Sequence, residues 1–322
     1  MTRRRLALFY AIAILGSLVI ALLAGEVFVR SLALSTGDGG GRAAKRWNEQ
    51  YWKPVNAQGY RDVEWAPAGA KPALVFLGDS FTEGHGVGFE QTYYHHLRSA
   101  LAGSHASYNL GRSGASTLDE LKRYRQFRAA TGVRPQVLVL QYFGNDMQGR
   151  LAPAPQWQPW PGLEAVARHS DLADLLWVYL AGVRYGHLYS DHHLGAYATP
   201  VFERHRADLG RAFAAAHGDG ARVVFVVFPF LDDEAMIERS QAAYVGRVRE
   251  VFRARCRPGD AFVDVSPLAR TLPPAQRTVN RLDGHPSPAL HALLAARLRP
   301  LVEAAPGPLP AGVERCGSPA GP

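Results

Sequence analysis

Short apolar runs without polar interruptions recur in the second part of the chain. The clearest cover residues 73–77, 137–142 and 223–228, and weaker ones cover residues 106–110 and 261–265. They are too short for core helices, and they lack the alternation of a half-exposed strand. Such runs are typical of parallel strands that are buried on both faces. The pattern therefore predicts a parallel sheet of about five strands.

Longer stretches with helical character separate these runs. They cover residues 89–102, 117–130, 171–183, 202–217, 234–254 and 288–302. Ser170 stands where the N-cap of the third stretch is expected. Alternation of buried strands with helices is typical of a doubly wound fold. We therefore predict a three-layer α/β/α domain of flavodoxin-like type.

The N-terminus has a different pattern. Arg3, Arg4 and Arg5 precede an apolar stretch over residues 6–25 that is long enough to cross a bilayer. The positive-inside rule then leaves the N-terminus in the cytoplasm and puts the remainder on the periplasmic or extracellular side. A cleaved signal peptide begins in the same way, but residues 22–24 put Leu where a small residue is needed. We therefore expect an uncleaved, single-pass signal anchor in the cell membrane, and an exported domain with or without cleavage.

These patterns divide the chain into four parts. Residues 1–30 form the cytoplasmic tip and the transmembrane helix, and residues 31–45 contain several glycines that predict a flexible tether. Residues 46–304 form the α/β domain. Residues 305–322 are rich in Pro and Gly, which predicts a disordered tail.

Composition narrows the class of function. The hydrophobic content of 47% is that of an ordinary globular protein. The formal charge is +8, but no basic run is interleaved with aromatic residues, so we expect no nucleic-acid partner. Cys256 and Cys316 form no metal-type cluster, so we predict no metal and no cofactor. The two could pair in an oxidising compartment or remain separate thiols.

Candidate chemistry lies where the predicted strands end, which is the edge where open parallel sheets place their reactive groups. The first run leads into Gly78-Asp79-Ser80, the next strand into residues 109–114, and the third run into Gly144-Asn145-Asp146. Ser80 could cap the following segment or act as a nucleophile. Glycine lets backbone N–H groups approach a ligand, and an Asn side chain can donate to an oxyanion, although both also serve ordinary turns.

A fourth block, Asp283-Gly284-His285, stands just before the last predicted helix. A hydrolytic serine needs a base to accept its proton and a carboxylate to orient the imidazole. One short loop could supply both groups.

The four blocks in this order resemble the SGNH, or GDSL, hydrolases, and residues 56–61 resemble a membrane-anchored bacterial subgroup of them. The resemblance implies that Ser80 is the nucleophile, His285 the base and Asp283 its carboxylate partner. It also implies an oxyanion hole made by the backbone N–H groups of Ser80 and Gly114 and by the side chain of Asn145. An α/β-hydrolase is excluded, because its elbow needs a second glycine where this chain has Thr82.

One spacing departs from the family pattern. Many members have two residues between the Asp and the His, whereas only Gly284 separates Asp283 from His285. The shorter spacing resembles exported branches that act on acylated polysaccharides. It makes the assignment of Asp283 weaker than that of His285.

The expected activity is hydrolysis of an ester through an acyl-Ser80 intermediate, with an O-acyl or O-acetyl group on an envelope or extracellular glycan as substrate. Alternatives are an O-acyltransferase on the same site, a lysophospholipase or thioesterase of lipase type, and, least favoured, a non-catalytic binding module. Trp157 and Trp160 could stack on a sugar or simply pack on the core. The sequence does not predict the oligomeric state.

Overall fold

The computed structural model describes residues 2–65, 69, 71–153 and 161–317. Its strands are β1 (Ala73–Leu77), β2 (Ala106–Asn109), β3 (Pro135–Tyr142), β4 (Arg222–Val227), β5 (Ala261–Asp264), β6 (Thr278–Asn280), β7 (Asp283–Pro286) and β8 (Val313–Arg315). Six of them form one sheet in the order β2-β1-β3-β4-β5-β8, and β6 and β7 form a separate antiparallel pair.

Helices connect the strands, and the first two of them precede the first strand. They are α1 (Arg3–Arg30), α2 (Arg42–Tyr51), α3 (Ser80–Glu83), α4 (Tyr93–Ala100), α5 (Thr117–Thr131), α6 (Pro161–Ala167), α7 (Asp171–Ala196), α8 (Val201–Gly218), α9 (Glu234–Ser240), α10 (Gly246–Arg255), α11 (Ser266–Ala269) and α12 (Pro288–Val302).

The prediction of an α/β fold around a mostly parallel sheet is confirmed. Strands β2, β1, β3, β4 and β5 are mutually parallel, and every residue of β1 and β5 is buried. Their apolar side chains face helices on both sides of the sheet, which is why these strands read as continuous apolar runs. Parallel order brings the ends of β1, β2 and β3 to one edge of the sheet.

The tail differs from the prediction. We expected residues 305–322 to be disordered, but β8 within them pairs antiparallel with β5 and adds a sixth strand. A disulfide joins Cys316 to Cys256, and Arg253 forms an ion pair with Glu314. The Pro and Gly content indicates only the local backbone preference of the tail. The edge strand β8 is held instead by contacts with residues that are distant in sequence. Residues 318–322 lie outside the described part of the chain.

The tether prediction is also wrong for the segment next to the domain. Ser35 and Thr36 are only 3% and 1% exposed, and α2 already begins at Arg42. The backbone N–H of Gly37 donates to the carbonyl of Leu282 at 2.8 Å. The segment is therefore held against the loop between β6 and β7 and is not a free tether.

The N-terminal helix α1 is long and apolar enough to cross a membrane, with a mean hydropathy of 2.7 over its best window. A signal sequence has the same length and composition, so the helix alone does not distinguish an anchor from a cleaved leader. Its C-terminal end packs on α7, where Glu26 accepts hydrogen bonds from the backbone of Asp171 and Leu172 at 2.9 and 3.0 Å. Helix α7 continues well past the predicted residue 183.

Candidate active site

The nucleophile block turns directly from strand into helix. Ser80 is the first residue of α3, and the carboxylate of Asp79 accepts a hydrogen bond from the backbone N–H of Phe81 at 2.9 Å. A Cβ on Gly78 would lie 2.2 Å from Oγ1 of Thr82 and 2.3 Å from Oε1 of Gln141. The glycine is therefore required for the chain to turn so closely after β1.

Ser80, His285 and Asp283 form a hydrogen-bonded chain. Nε2 of His285 lies 2.8 Å from Oγ of Ser80, although 205 residues separate them in sequence. Nδ1 of His285 lies 2.5 Å from Oδ1 of Asp283, which also accepts the backbone N–H of His285 at 3.0 Å. With Nδ1 protonated towards the carboxylate, Nε2 is free to accept the serine proton.

The strand geometry of β7 accounts for the short Asp283-Gly284-His285 spacing. Residues two apart in a strand point to the same side, so the carboxylate and the imidazole meet without a longer loop. Both side chains are buried, whereas Gly284 between them is exposed. The spacing that weakened the sequence assignment is thus compatible with a close Asp–His pair.

The carboxylate of Asp283 is kept ionised by its neighbours. Burial acts to raise its pKa, but the charge and hydrogen bond of His285, the charge of His85 and the hydroxyl of Ser35 together lower the pKa to about 2. The ion is therefore available at neutral pH to hold the imidazole and to stabilise the imidazolium.

A second histidine, His85, packs on His285. The rings of His85 and His285 have centroids 4.4 Å apart, and Nε2 of His85 lies 3.8 Å from Oδ2 of Asp283. Burial, and then the charge of His285, lower the pKa of His85. Both effects favour the neutral form of this ring.

These three side chains are also the group that could hold a metal ion among the described residues. Their ligand atoms lie within 4.8 Å of one another. However, hydrogen bonds to Ser80 and Asp283 already engage both ring nitrogens of His285, and Nε2 of His85 bonds to the carbonyl of Thr36 at 2.8 Å.

The glycine and asparagine blocks lie in neighbouring loops that are bonded to each other. The side chain of Gln148 donates to the carbonyl of Gly114, and its backbone N–H donates to the carbonyl of Asn145 at 2.8 Å. Gly114 has φ +71°, which favours glycine, and it is exposed. Asn145 is buried, and its side chain hydrogen-bonds to Asp79, whose pKa is raised by burial to about 6. Their role as oxyanion donors stays a prediction.

Buried carboxyl groups lie behind this loop pair. Burial raises the pKa of Glu120 and of Asp146 well above the usual range, and nearby acidic groups raise both further. Both effects favour the protonated form of these two acids.

Sequence reasoning did not identify three residues that contact Asp283 or His285 or shape the neighbouring loop. They are Ser35, Arg61 and His85. Arg61 is 1% exposed and donates to the carbonyls of Gly84 and Val87, so it shapes the loop that carries His85. Its place in the block over residues 56–61 was the one available signal. Trp157 and Trp160 lie outside the described residues.

The chain matches the model of the GDSL-like lipase/acylhydrolase family over residues 76–293. No curated protein sequence matches it. Similar solved structures include the acetylxylan esterase Axe2 from Geobacillus stearothermophilus, at 19% identity and a TM-score of 0.42, covering 73% of this chain and 96% of that one. Esterase EstA from Pseudoalteromonas sp. is 10% identical with a TM-score of 0.42, and the match covers 73% of this chain and 98% of that one. A lipase/acylhydrolase from Enterococcus faecalis is 14% identical with a TM-score of 0.40, and the match covers 71% of this chain and 95% of that one.

The family model matches more than half of the length of this chain. The chain therefore belongs to the GDSL-like lipase/acylhydrolase family and is an ester-hydrolysing enzyme.

Proposed function

We propose that this protein is an exported serine esterase that removes O-acyl groups, with O-acetyl favoured, from an envelope or extracellular glycan. The observation that carries the proposal is the 2.8 Å contact between Nε2 of His285 and Oγ of Ser80. A serine hydroxyl placed against an imidazole whose other nitrogen faces a buried carboxylate is arranged for nucleophilic attack.

In the first half of the reaction, Ser80 attacks the ester carbonyl carbon while His285 accepts the hydroxyl proton. The negative charge on the former carbonyl oxygen is held by the backbone N–H groups of Ser80 and Gly114 and by the amide of Asn145. Each such donor contributes on the order of 3 kcal/mol to lowering the barrier. Collapse of this intermediate breaks the bond to the alcohol, which takes the proton from His285 and leaves an acyl-serine.

In the second half, water attacks the acyl-serine and His285 accepts a proton from it. The second tetrahedral intermediate collapses to the free acid, and Ser80 regains its hydroxyl proton. A sugar hydroxyl in place of water would make the same site an O-acyltransferase.

Two observations support an exported enzyme. Helix α1 has the length and hydropathy of a membrane span, and the arginines at its start favour placing the domain on the outer side. Residues 22–24, with Leu where a cleavage site needs a small residue, favour an uncleaved anchor. The disulfide between Cys256 and Cys316 is of the kind that persists in oxidising compartments. Together they support a single-pass protein of the cell membrane.

A polar acceptor is supported by the surface next to Gly114. The depression there has a volume of about 360 Å³. It is lined by Ser113, Gly114, Ala115, Asp119, Lys122, Arg123 and Gln126. Mostly polar side chains next to Gly114 suit a glycan better than a long acyl chain.

The test uses the full chain in detergent with p-nitrophenyl esters of increasing acyl length. We expect the acetyl ester to be turned over fastest, and Ser80→Ala to lower kcat by about 10³-fold or more. Ser99→Ala, which changes an exposed serine on α4, is the matched control and should keep full activity.

Two results would contradict the proposal. Hydrolysis that persists in Ser80→Ala would remove Ser80 as the nucleophile. A preference for long acyl chains would favour the lipase-type alternative over the glycan. Release of acetate from acetylated envelope polysaccharide, compared with its transfer to an added sugar, then distinguishes hydrolase from acyltransferase.

A further inference from the structure

We propose that the segment directly after α1 is part of the catalytic apparatus, and that Ser35 within it is a positioning residue for Asp283. This inference rests on the proposed function, since it concerns how the carboxylate partner of His285 is held. It assigns a role to a segment whose glycines indicate only a tether.

The two carboxylate oxygens of Asp283 have separate partners. Oδ1 faces the ring and backbone nitrogens of His285. Oδ2 accepts a hydrogen bond from the hydroxyl of Ser35 at 2.5 Å, a contact between residues 248 apart in sequence. Donors on both oxygens fix the rotation of the carboxylate plane, and that rotation directs Oδ1 at the imidazole.

Ser35 is itself held in place from two sides. Its carbonyl accepts a hydrogen bond from Nδ2 of Asn280 at 3.0 Å, and the next carbonyl, of Thr36, bonds to Nε2 of His85 at 2.8 Å. The backbone N–H of Gly37 then pairs with Leu282. The segment therefore lies between the β6–β7 loop and the histidine beside the nucleophile helix.

No other close donor serves Oδ2 among the described residues. The nearest alternative, Nε2 of His85, is 3.8 Å away, which is too long for a hydrogen bond. A Cβ on Gly86 would lie 2.5 Å from Oδ2, so that residue leaves room for the carboxylate but donates nothing to it. Loss of the Ser35 hydroxyl would leave a buried anionic oxygen without its donor, which is costly.

This contact links the anchor to the active site over a short length of chain. Helix α1 ends at Arg30, and the guanidinium of Arg46 holds its end by donating to the carbonyls of Val29 and Leu32 at 2.9 and 2.7 Å. Ser35 follows five residues after the helix. The end of helix α1 is thus close in sequence to Ser35, which orients the catalytic pair.

The experiment compares Ser35→Ala with the unaltered full chain in detergent, using the acetyl ester. We expect kcat to fall about tenfold with KM within about twofold, because the change affects orientation of the base and not substrate binding. Ser31→Ala is the matched control: its hydroxyl bonds only locally to the carbonyl of Phe28, and it should leave kcat unchanged. Ser35→Thr keeps the hydroxyl and should retain most of the activity.

A double-mutant comparison separates positioning from a general structural role. If Ser35 acts through Asp283, then Ser35→Ala should have almost no further effect on kcat in an Asp283→Ala chain. An equal loss in both backgrounds, or Ser35→Ala at full kcat, would overturn the inference. Equal losses of kcat in Ser35→Ala and Ser35→Thr, with the unfolding temperature unchanged in both, would also overturn the inference.

Failure of the proposed function would look different. In that case the unaltered chain would show no Ser80-dependent ester turnover at all. Ser80-dependent turnover with no response to Ser35→Ala would leave the proposed function standing and reject only the role of Ser35.

Discussion

The surroundings of the Asp283–His285 pair show which residues of the proposed active site could be predicted from the sequence and which could not. The four blocks were recognisable, because their order and their residue types are local features of the chain. Ser35 and His85 were not, since a serine in a glycine-rich stretch and one histidine among twelve carry no local signal. Their importance arises from contacts across the fold, Ser35 with Asp283 and His85 with His285.

The carboxylate of Asp283 is expected to matter as an ion and not only as a shape. Asp283→Asn should lower kcat by roughly 10³- to 10⁴-fold, because an amide can hold the imidazole in the wrong tautomer for accepting the serine proton. Steady-state hydrolysis of the acetyl ester measures this. Full activity in the variant would indicate a Ser80–His285 dyad.

Acid unfolding of the same variant checks that the carboxylate is ionised. The folded-state pKa of Asp283 is about 2, below the ordinary value of 3.8. Its stabilising contribution is therefore complete above about pH 4 and is lost as pH falls towards 2. The difference in unfolding free energy between the native chain and Asp283→Asn should shrink over that range, and a constant difference would show that the pKa is not lowered.

The secondary-structure elements agree with the sequence prediction where both faces of a strand are buried. They differ from it where contacts between residues distant in sequence determine the structure. Strands β1, β3 and β4 were predicted because both of their faces are buried, which leaves a continuous apolar run. The length of α7 was underestimated. Strand β8 was missed, since its pairing with β5 depends on residues far away in the sequence.

The disulfide that holds β8 should stabilise the domain without affecting catalysis. It closes a loop of 60 residues, so chain-entropy arguments give a contribution of about 4 kcal/mol to the free energy of unfolding. Reduction should lower the denaturant midpoint, while the folded reduced enzyme keeps its kcat, because β8 lies at the far edge of the sheet from β1.

The paired variant Cys256→Ser/Cys316→Ser is the control for this experiment. It should have the lowered midpoint from the start and should not respond to reductant. A native chain whose midpoint is unchanged by complete reduction would contradict the expectation.

At the scale of the whole molecule, α7 connects the apolar N-terminal helix to the edge of the sheet that carries the proposed active site. Its first turn contacts Glu26 of α1, and Arg42 and Arg46 of α2 pair with Asp171 there. Near its other end, Tyr189 interacts with the side chain of Asn145. The segment around Ser35 makes a second connection. The apolar N-terminal helix and the proposed active site are therefore joined through packed structure, which the composition of residues 31–45 did not indicate.

The central claim is that His285 activates Ser80 as a nucleophile, and reaction with a fluorophosphonate tests it most directly, because this reagent needs no knowledge of the natural ester. The full chain should form a single covalent adduct, located by peptide mass on Ser80, and His285→Ala should slow its formation by a factor of at least about 10³. An unlabelled Ser80, or labelling at the same rate in His285→Ala, would contradict the account.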